Sequence, residues 1–195
     1  MILNSGSNTY KTLADEQLMR LITKRDKAAF EELYDRYSTL LLNYFYRMLW
    51  RDKEKAEDFM QDIFTKIIAK PEYYDPAKNF KTWIYSVANN MCKNEYKKQE
   101  IRKKNEYKII ETAGEMTANS QPVRDIDKRS FNEIVDKELN RLKEDEKTTF
   151  VLRFREGLSI KEISGIMKCS EGTVKSRLFY TIKKLTPKLK MFNPV

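Results

Sequence analysis

Apolar residues in this chain recur at intervals of three and four, and almost nowhere at two. That period lines side chains along one stripe of an α-helix and gives a β-sheet no face to bury. After Asp15, Leu18, Leu21 and Ile22 form a short first stripe. Asp26 can cap a long second helix, in which Phe30, Leu33, Tyr34, Tyr37, Leu40, Leu41, Tyr44, Phe45 and Met48 recur at three and four. Asp52 can cap a third, with Ala56, Phe59, Met60, Ile63, Phe64 and Ile67 inward, and Pro71 ends it. "PEYYDPAKNF" holds two prolines and an Asp-Pro turn signal and reads as a loop. A fourth helix starts near Phe80 and runs through "KTWIYSVANNMCKNEYKKQEIRKK".

The pattern then stops. "ETAGEMTANSQPVRD", from Glu111 to Asp125, has small polar residues, one Gly, one Pro and no apolar period, as a linker would. Beyond it Phe131, Ile134, Val135, Leu139 and Leu142 restart a helical stripe. "EDEKTTFVLRFREG" predicts another helix, closed by Gly157. In "LSIKEISGIMKCSEGTVKSRLFYTIKKL" two helices follow with almost nothing between them. Ser159 and Glu162 have capping-box spacing, and Ser170 can cap the second helix. Val174, Leu178, Ile182 and Leu185 are its expected buried stripe. The expectation is an all-α chain of two small helical domains, residues 10–104 and 130–190, tethered by a flexible linker over 105–129.

Charge narrows the partners. The chain has 38 Lys and Arg against 29 Asp and Glu, a net +9. A polyanion, most often nucleic acid, is the natural partner of such a balance. There is no histidine, which removes the commonest acid/base group and metal ligand, and the five glycines form no phosphate-cradling loop. The two cysteines, Cys92 and Cys169, have neither disulfide nor metal spacing and fit a reducing compartment. No secretory signal or membrane-length apolar stretch is seen. Neither a cofactor, a metal nor an enzymatic activity is expected.

Three surfaces remain. On the last helix the face opposite the apolar stripe carries Ser176, Phe179, Tyr180 and Lys183, flanked by Lys175 and Lys184. From Arg141 to Lys190 there are 13 basic and 6 acidic residues. A helix-turn-helix lays such a face in the major groove, with polar and flat apolar groups at base edges and cations at phosphates; a plain helical hairpin has the same pattern. On the fourth helix Tyr85, Asn89, Lys93 and Tyr96 gather opposite Ile84, Val87, Ala88 and Met91, a mixture suited to unstacked single-stranded bases. Trp83 reads equally as core or as ligand contact. On the third helix Asp58, Gln61, Asp62 and Thr65 share a face. Residues 53–62 carry two basic and four acidic groups, which suits a basic protein partner or, on this feature alone, an ordinary solvated face.

"DEQLMRLITKRDKAAFEELYDRYSTLLLNYFYRML", "AEDFMQDIFTKI", "FKTWIYSVANNMCKNEY" and "LSIKEISGIMKCSEGTVKSRLF" together resemble, in order and spacing, the extracytoplasmic-function sigma factors, the two-domain group of the bacterial sigma-70 family. The likeness covers roughly residues 12–104 and 130–187. It implies a cytoplasmic initiation subunit that binds core RNA polymerase, recognises promoter DNA and helps melt it. Asp58, Gln61 and Asp62 become candidates for docking on the polymerase. Asp75, Lys78, Asn79, Phe80, Trp83, Tyr85, Asn89, Asn90, Lys93, Asn94 and Lys97 become candidates for the melted minus-ten region, with a flipped base pocketed near Asp75–Phe80. Arg153, Lys175, Ser176, Phe179, Tyr180 and Lys183 become the minus-thirty-five set. The likeness also implies an anti-sigma factor as partner and no membrane insertion. This chain departs from the family where Ser86 and Asn89 stand in place of arginines, where Tyr180 replaces a basic residue, and near Asn79, which lacks a neighbouring glycine. A stand-alone helix-turn-helix regulator that binds duplex DNA without polymerase is the alternative.

Overall fold

The computed structural model describes residues 7–113 and 131–189, with side chains over 9–104 and 135–188. The elements are α1 (Ser7–Lys11), α2 (Asp15–Thr23), α3 (Lys27–Met48), α4 (Lys53–Ala69), a 3₁₀ turn (Pro71–Tyr73), α5 (Phe80–Ala113), α6 (Phe131–Leu139), α7 (Glu144–Phe154), α8 (Ile160–Met167) and α9 (Glu171–Leu189). Among the described residues there is no strand. The linker expected over 105–129 lies outside the described residues from 114 onward, and helical backbone continues through Ala113.

The caps are where the sequence puts them. The Asp26 carboxylate accepts from the Ala29 amide at 3.0 Å, and Asp52 from the Lys55 amide at 3.0 Å. Each satisfies an amide that the first helical turn leaves without a partner. Leu33, Leu41, Phe45 and Met48 of α3 are buried against Ala56, Met60, Ile63 and Ile67 of α4, with Leu18 and Ile22 of α2 and Ile84 and Ala88 of α5 completing the core. Arg36 ties the N-terminus to α3, pairing with Asp15 at 2.7 Å and Glu32 at 2.8 Å while donating to the carbonyls of Tyr10, Lys11 and Leu13. The short α1 turn had no counterpart in the apolar pattern.

The second half packs on the first. Its last helices enclose Val135, Leu139, Val151, Leu152, Ile163, Ile166 and Val174. Then α8 lies along α5, and α7 meets the end of α3. One sequence expectation fails inside this unit. The inward residues of α9 are Val174, Leu178, Thr181 and Leu185, whereas Ile182 is 43% exposed. At about 100° per residue, Thr181 falls about 20° from Val174 and Ile182 about 80° away, so the narrow seam takes the threonine.

Candidate nucleic-acid interface

The capping box forms: the Ser159 amide donates to Glu162 Oε2 at 2.8 Å, and the Glu162 amide donates to Ser159 Oγ at 3.2 Å. Lys168 ends α8 in the left-handed region, φ +51°. Two residues later the Thr173 amide donates to Ser170 Oγ at 3.1 Å and α9 begins. Outward from α9, Phe179 is 63% and Tyr180 56% exposed, their rings 5.4 Å apart, with Ile182 beside them. Lys175, Ser176 and Lys183 are exposed on the same side. Arg153 stands at the end of α7, exposed, its Nη1 donating to the Leu158 carbonyl at 2.9 Å. Lys184 is drawn to Glu146 at 2.7 Å.

The loop before α5 is held from both ends. Asp75 accepts from the Ala77 amide at 3.0 Å and pairs with Lys78 at 3.5 Å. The backbone hydrogen bond, helped by Lys78, holds the Asp75 carboxyl below its usual range. Asn79 Oδ1 accepts from the Thr82 amide at 3.0 Å, so Asn79 caps α5. Glu16 accepts from the Phe80 amide at 2.9 Å. Asp75, Lys78 and Asn79 are exposed and Trp83 is half-buried, but Phe80 is not a surface residue. Its ring is fully buried, 5.2 Å from Tyr37 and 5.4 Å from Tyr74, so it supports the loop from within.

The open stacking face expected on α5 is not open. Tyr85 is 0% and Asn89 1% exposed, because α8 and the turn after α7 lie across that side of the helix. The Tyr85 hydroxyl donates to Glu156 Oε2 at 2.7 Å, and Asn89 Nδ2 meets Met167 Sδ at 3.8 Å. Lys93 pairs with Asp145 at 3.5 Å, and Tyr96 bonds the Met48 carbonyl. Asn90, Asn94 and Lys97 remain exposed. Lys93 and Lys97 line a cleft of about 420 Å³ with Lys143, Glu144 and Asp145.

On α4, Asp58, Gln61, Asp62 and Thr65 are all exposed, while Met60, Ile63 and Phe64 turn inward. The four outward residues belong to one helix and share one face, removed from the α5–α8 seam.

The seam also recruits residues that sequence reasoning passed over. Glu156 falls in the stretch expected to be helical up to Gly157 but follows the end of α7 at Phe154, and its side chain is 2% exposed and lies 3.5 Å from Arg47. Burial raises its pKa, opposed by the Tyr85 hydrogen bond and by Arg47. Lys147, 5% exposed, donates to Asn140 Oδ1 at 2.8 Å and to the Met48 carbonyl at 3.3 Å. Burial lowers its pKa to about 8. A sequence signal exists only for Lys147, which falls among the inward residues of α7.

Comparison with known proteins follows the same division. The Sigma-70 region 2 model matches residues 33–101, and the Sigma-70, region 4 model matches residues 132–185. The ECF RNA polymerase sigma-E factor of Haemophilus influenzae is 34% identical over 175 residues, covering 86% of this chain and 90% of that one. Two solved structures share the fold. One is sigma factor RpoE in complex with the anti-sigma factor NepR from Bartonella quintana, with TM-score 0.59, 23% identity and coverage of 83% of this chain and 96% of that one. The other is CnrH in complex with the cytosolic domain of CnrY, with TM-score 0.65, 18% identity and coverage of 93% and 100%. The chain belongs to the ECF sigma factors of the sigma-70 family.

Proposed function

We propose that this chain is a dissociable initiation subunit that binds core RNA polymerase, directs it to particular promoters and helps open them. Residues 10–104 bind the polymerase and the minus-ten region, 105–129 tether the halves, and 130–190 read the minus-thirty-five element. Asp58, Gln61 and Asp62 of α4 dock on a basic surface of the polymerase. Asp75, Lys78, Asn79 and Trp83 form the base-capturing corner, continued along α5 by Asn90, Lys93, Asn94 and Lys97. Tyr85 and Asn89 join them once α8 has moved away. Arg153, Lys175, Ser176, Phe179, Tyr180 and Lys183 contact duplex DNA. The chemistry of RNA synthesis belongs to the polymerase, in the cytoplasm. By likeness to RpoE, solved with the anti-sigma factor NepR, an anti-sigma protein is a proposed partner.

One observation carries the reading: an exposed acidic face on α4 coexists with an open aromatic and basic face on α9, in a chain of net charge +9. A stand-alone regulator of duplex DNA has no use for the acidic face, which would repel phosphate. Among the described residues no helix is long and apolar enough to cross a membrane. The test is run-off transcription with purified core polymerase over a genomic promoter library. The chain should yield discrete start sites. Asp58→Lys with Asp62→Lys should lose them together with core affinity, while helicity by circular dichroism stays normal. Unchanged core affinity in that variant would remove α4 from the docking surface.

A further inference from the structure

Lys81, Tyr85, Asn89 and Lys93 follow one another at steps of four along α5, about 6 Å apart, and all four meet the second half of the chain. That half answers with acceptors. Lys81 Nζ donates to the Glu156 carbonyl at 3.5 Å, and the Tyr85 hydroxyl donates to the Glu156 carboxylate at 2.7 Å. Asn89 touches Met167, and Lys93 pairs with Asp145 at 3.5 Å. From α3, Arg47 adds a second cation to the Glu156 carboxylate at 3.5 Å. A carboxylate 2% exposed persists only where cations and donors replace its water.

We infer that Arg47, Lys81 and Tyr85 form a phosphate cradle for the melted DNA strand, and that Glu156 is the internal anion that fills it while α8 and the turn after α7 lie on α5. The inference rests on the sigma-factor reading and deepens it. Phosphate asks of a site what this carboxylate receives, namely fixed hydrogen-bond donors and cations around one anion. A row of donors at helical pitch serves a polyanion better than a single ligand. Lys81 and Tyr85 also belong to the helix already assigned to the melted strand. When the second half lifts away, Arg47, Lys81, Tyr85 and Lys93 lose their acceptors together, and a DNA strand then supplies replacements. The chain thereby withholds its single-strand surface until the two halves separate.

Gly165 makes the contact testable. It faces α5, where a Cβ would lie 3.9 Å from Thr82 Cγ2, so cysteines at the two positions can be joined across the seam by oxidation or by a short bifunctional thiol reagent. The probe is a fluorescent pool of short single-stranded DNA of random sequence, titrated with the full chain. Glu156→Gln should raise affinity about tenfold, because the plug loses its charge. Arg47→Ala should lower affinity and reduce the salt slope by about one. In the double variant the gain from Glu156→Gln should shrink several-fold, since part of the freed cradle is missing. In a Cys169→Ser background, Thr82→Cys with Gly165→Cys should bind as the parent when reduced, and weakly once oxidised, recovering with reductant. Equal affinity of wild type and Glu156→Gln, or an oxidised pair that binds undiminished, overturns the inference. So does a pair joined neither by oxidation nor by a short bifunctional thiol reagent, since the halves would then not be packed in solution. Run-off transcription with core polymerase separates the two readings: start sites with no effect of Glu156→Gln on strand binding reject the plug alone, and no start sites reject the sigma-factor reading.

Discussion

Helices α5 and α9 are written with the same side chains and meet opposite fates. Each sets rings, small polar groups and lysines along one face. On α9 those groups stand in solvent, Phe179 at 63% and Tyr180 at 56% exposure. On α5 Tyr85 and Asn89 are fully buried. Composition does not separate the two faces, but what lies opposite them does. The inner side of α9 is satisfied by α6, α7 and α8, and none of these reaches its outer side. The polar side of α5 is covered by α8 and the turn before it, where Glu156 meets its hydroxyl, and the start of α7 brings Asp145 to its lysine. A ring-and-lysine face is therefore a surface for an anion, and the anion can belong to the same chain.

The comparison breaks most visibly in stability. Tyr85→Ala removes a fully buried ring that packs 5.5 Å from Tyr44 and leaves Glu156 without its nearest donor. A loss of about 3–5 kcal/mol is expected. Phe179→Ala removes an exposed ring and should change stability by no more than about 0.5 kcal/mol, while weakening binding to duplex DNA. Urea denaturation followed by circular dichroism measures both. Similar costs at the two positions would mean that α5 and α9 do not differ as the packing requires.

The parts that sequence reveals are those set within one helix. Asp26, Asp52, Ser159 and Ser170 cap because a short polar side chain reaches an amide three residues on, whatever else the chain does. Asp58, Gln61 and Asp62 are exposed because helical pitch alone puts them opposite Met60 and Ile63. The outer face of α9 was legible for the same reason, and the error at Ile182 came from a stripe drawn at four, four and three rather than four, three and four. Contacts between halves left no such trace. Tyr85 meets Glu156 across 71 positions, and Arg47 meets it across 109. No local period encodes either meeting. Phe80 shows the same limit: a ring at a helix start fits a DNA corner by family likeness, yet Tyr37 and Tyr74 enclose it.

The covered seam should also carry its own pH dependence, which an open face lacks. Burial lowers Lys147 from 10.5 to about 8 in the folded chain. Between those values the unfolded chain holds the extra proton, so this group makes stability rise with pH across the window and contributes a constant penalty below it. The full span is on the order of 3 kcal/mol. Cys92 and the buried tyrosines act oppositely, because burial raises them and the unfolded chain loses their protons first. The tyrosine contribution cancels in the difference between wild type and Lys147→Met, while Cys92, whose thiol interacts with Lys147, is replaced by Ala in both chains. That difference, measured by urea denaturation from pH 7 to about 10, should move in favour of wild type as pH rises. A flat difference would mean that Lys147 is hydrated and the seam open.

On the open face, the residues themselves should divide by role, with smaller effects. Ser176 and Tyr180 project from the outer side of α9 nearer its N-terminus, where base edges would lie, while Lys183 stands on the same side further toward the C-terminus, where the helix leaves the groove and phosphates run. Replacing Tyr180 by Ala should change which minus-thirty-five sequence is preferred, by about 1–3 kcal/mol for a good base contact. Lys183→Ala should weaken all sequences alike and lower the salt slope by about one, because a phosphate contact carries no sequence information. Both variants alter only exposed side chains, so their folding stability should match wild type. The assay is binding of the full chain to randomised duplexes at two salt concentrations. Short duplexes with paired ends keep the single-strand surface of α5 out of the measurement. If Tyr180→Ala weakened every sequence equally while Lys183→Ala shifted the preferred motif, the roles on this helix would be reversed, and Tyr180 would be a phosphate contact.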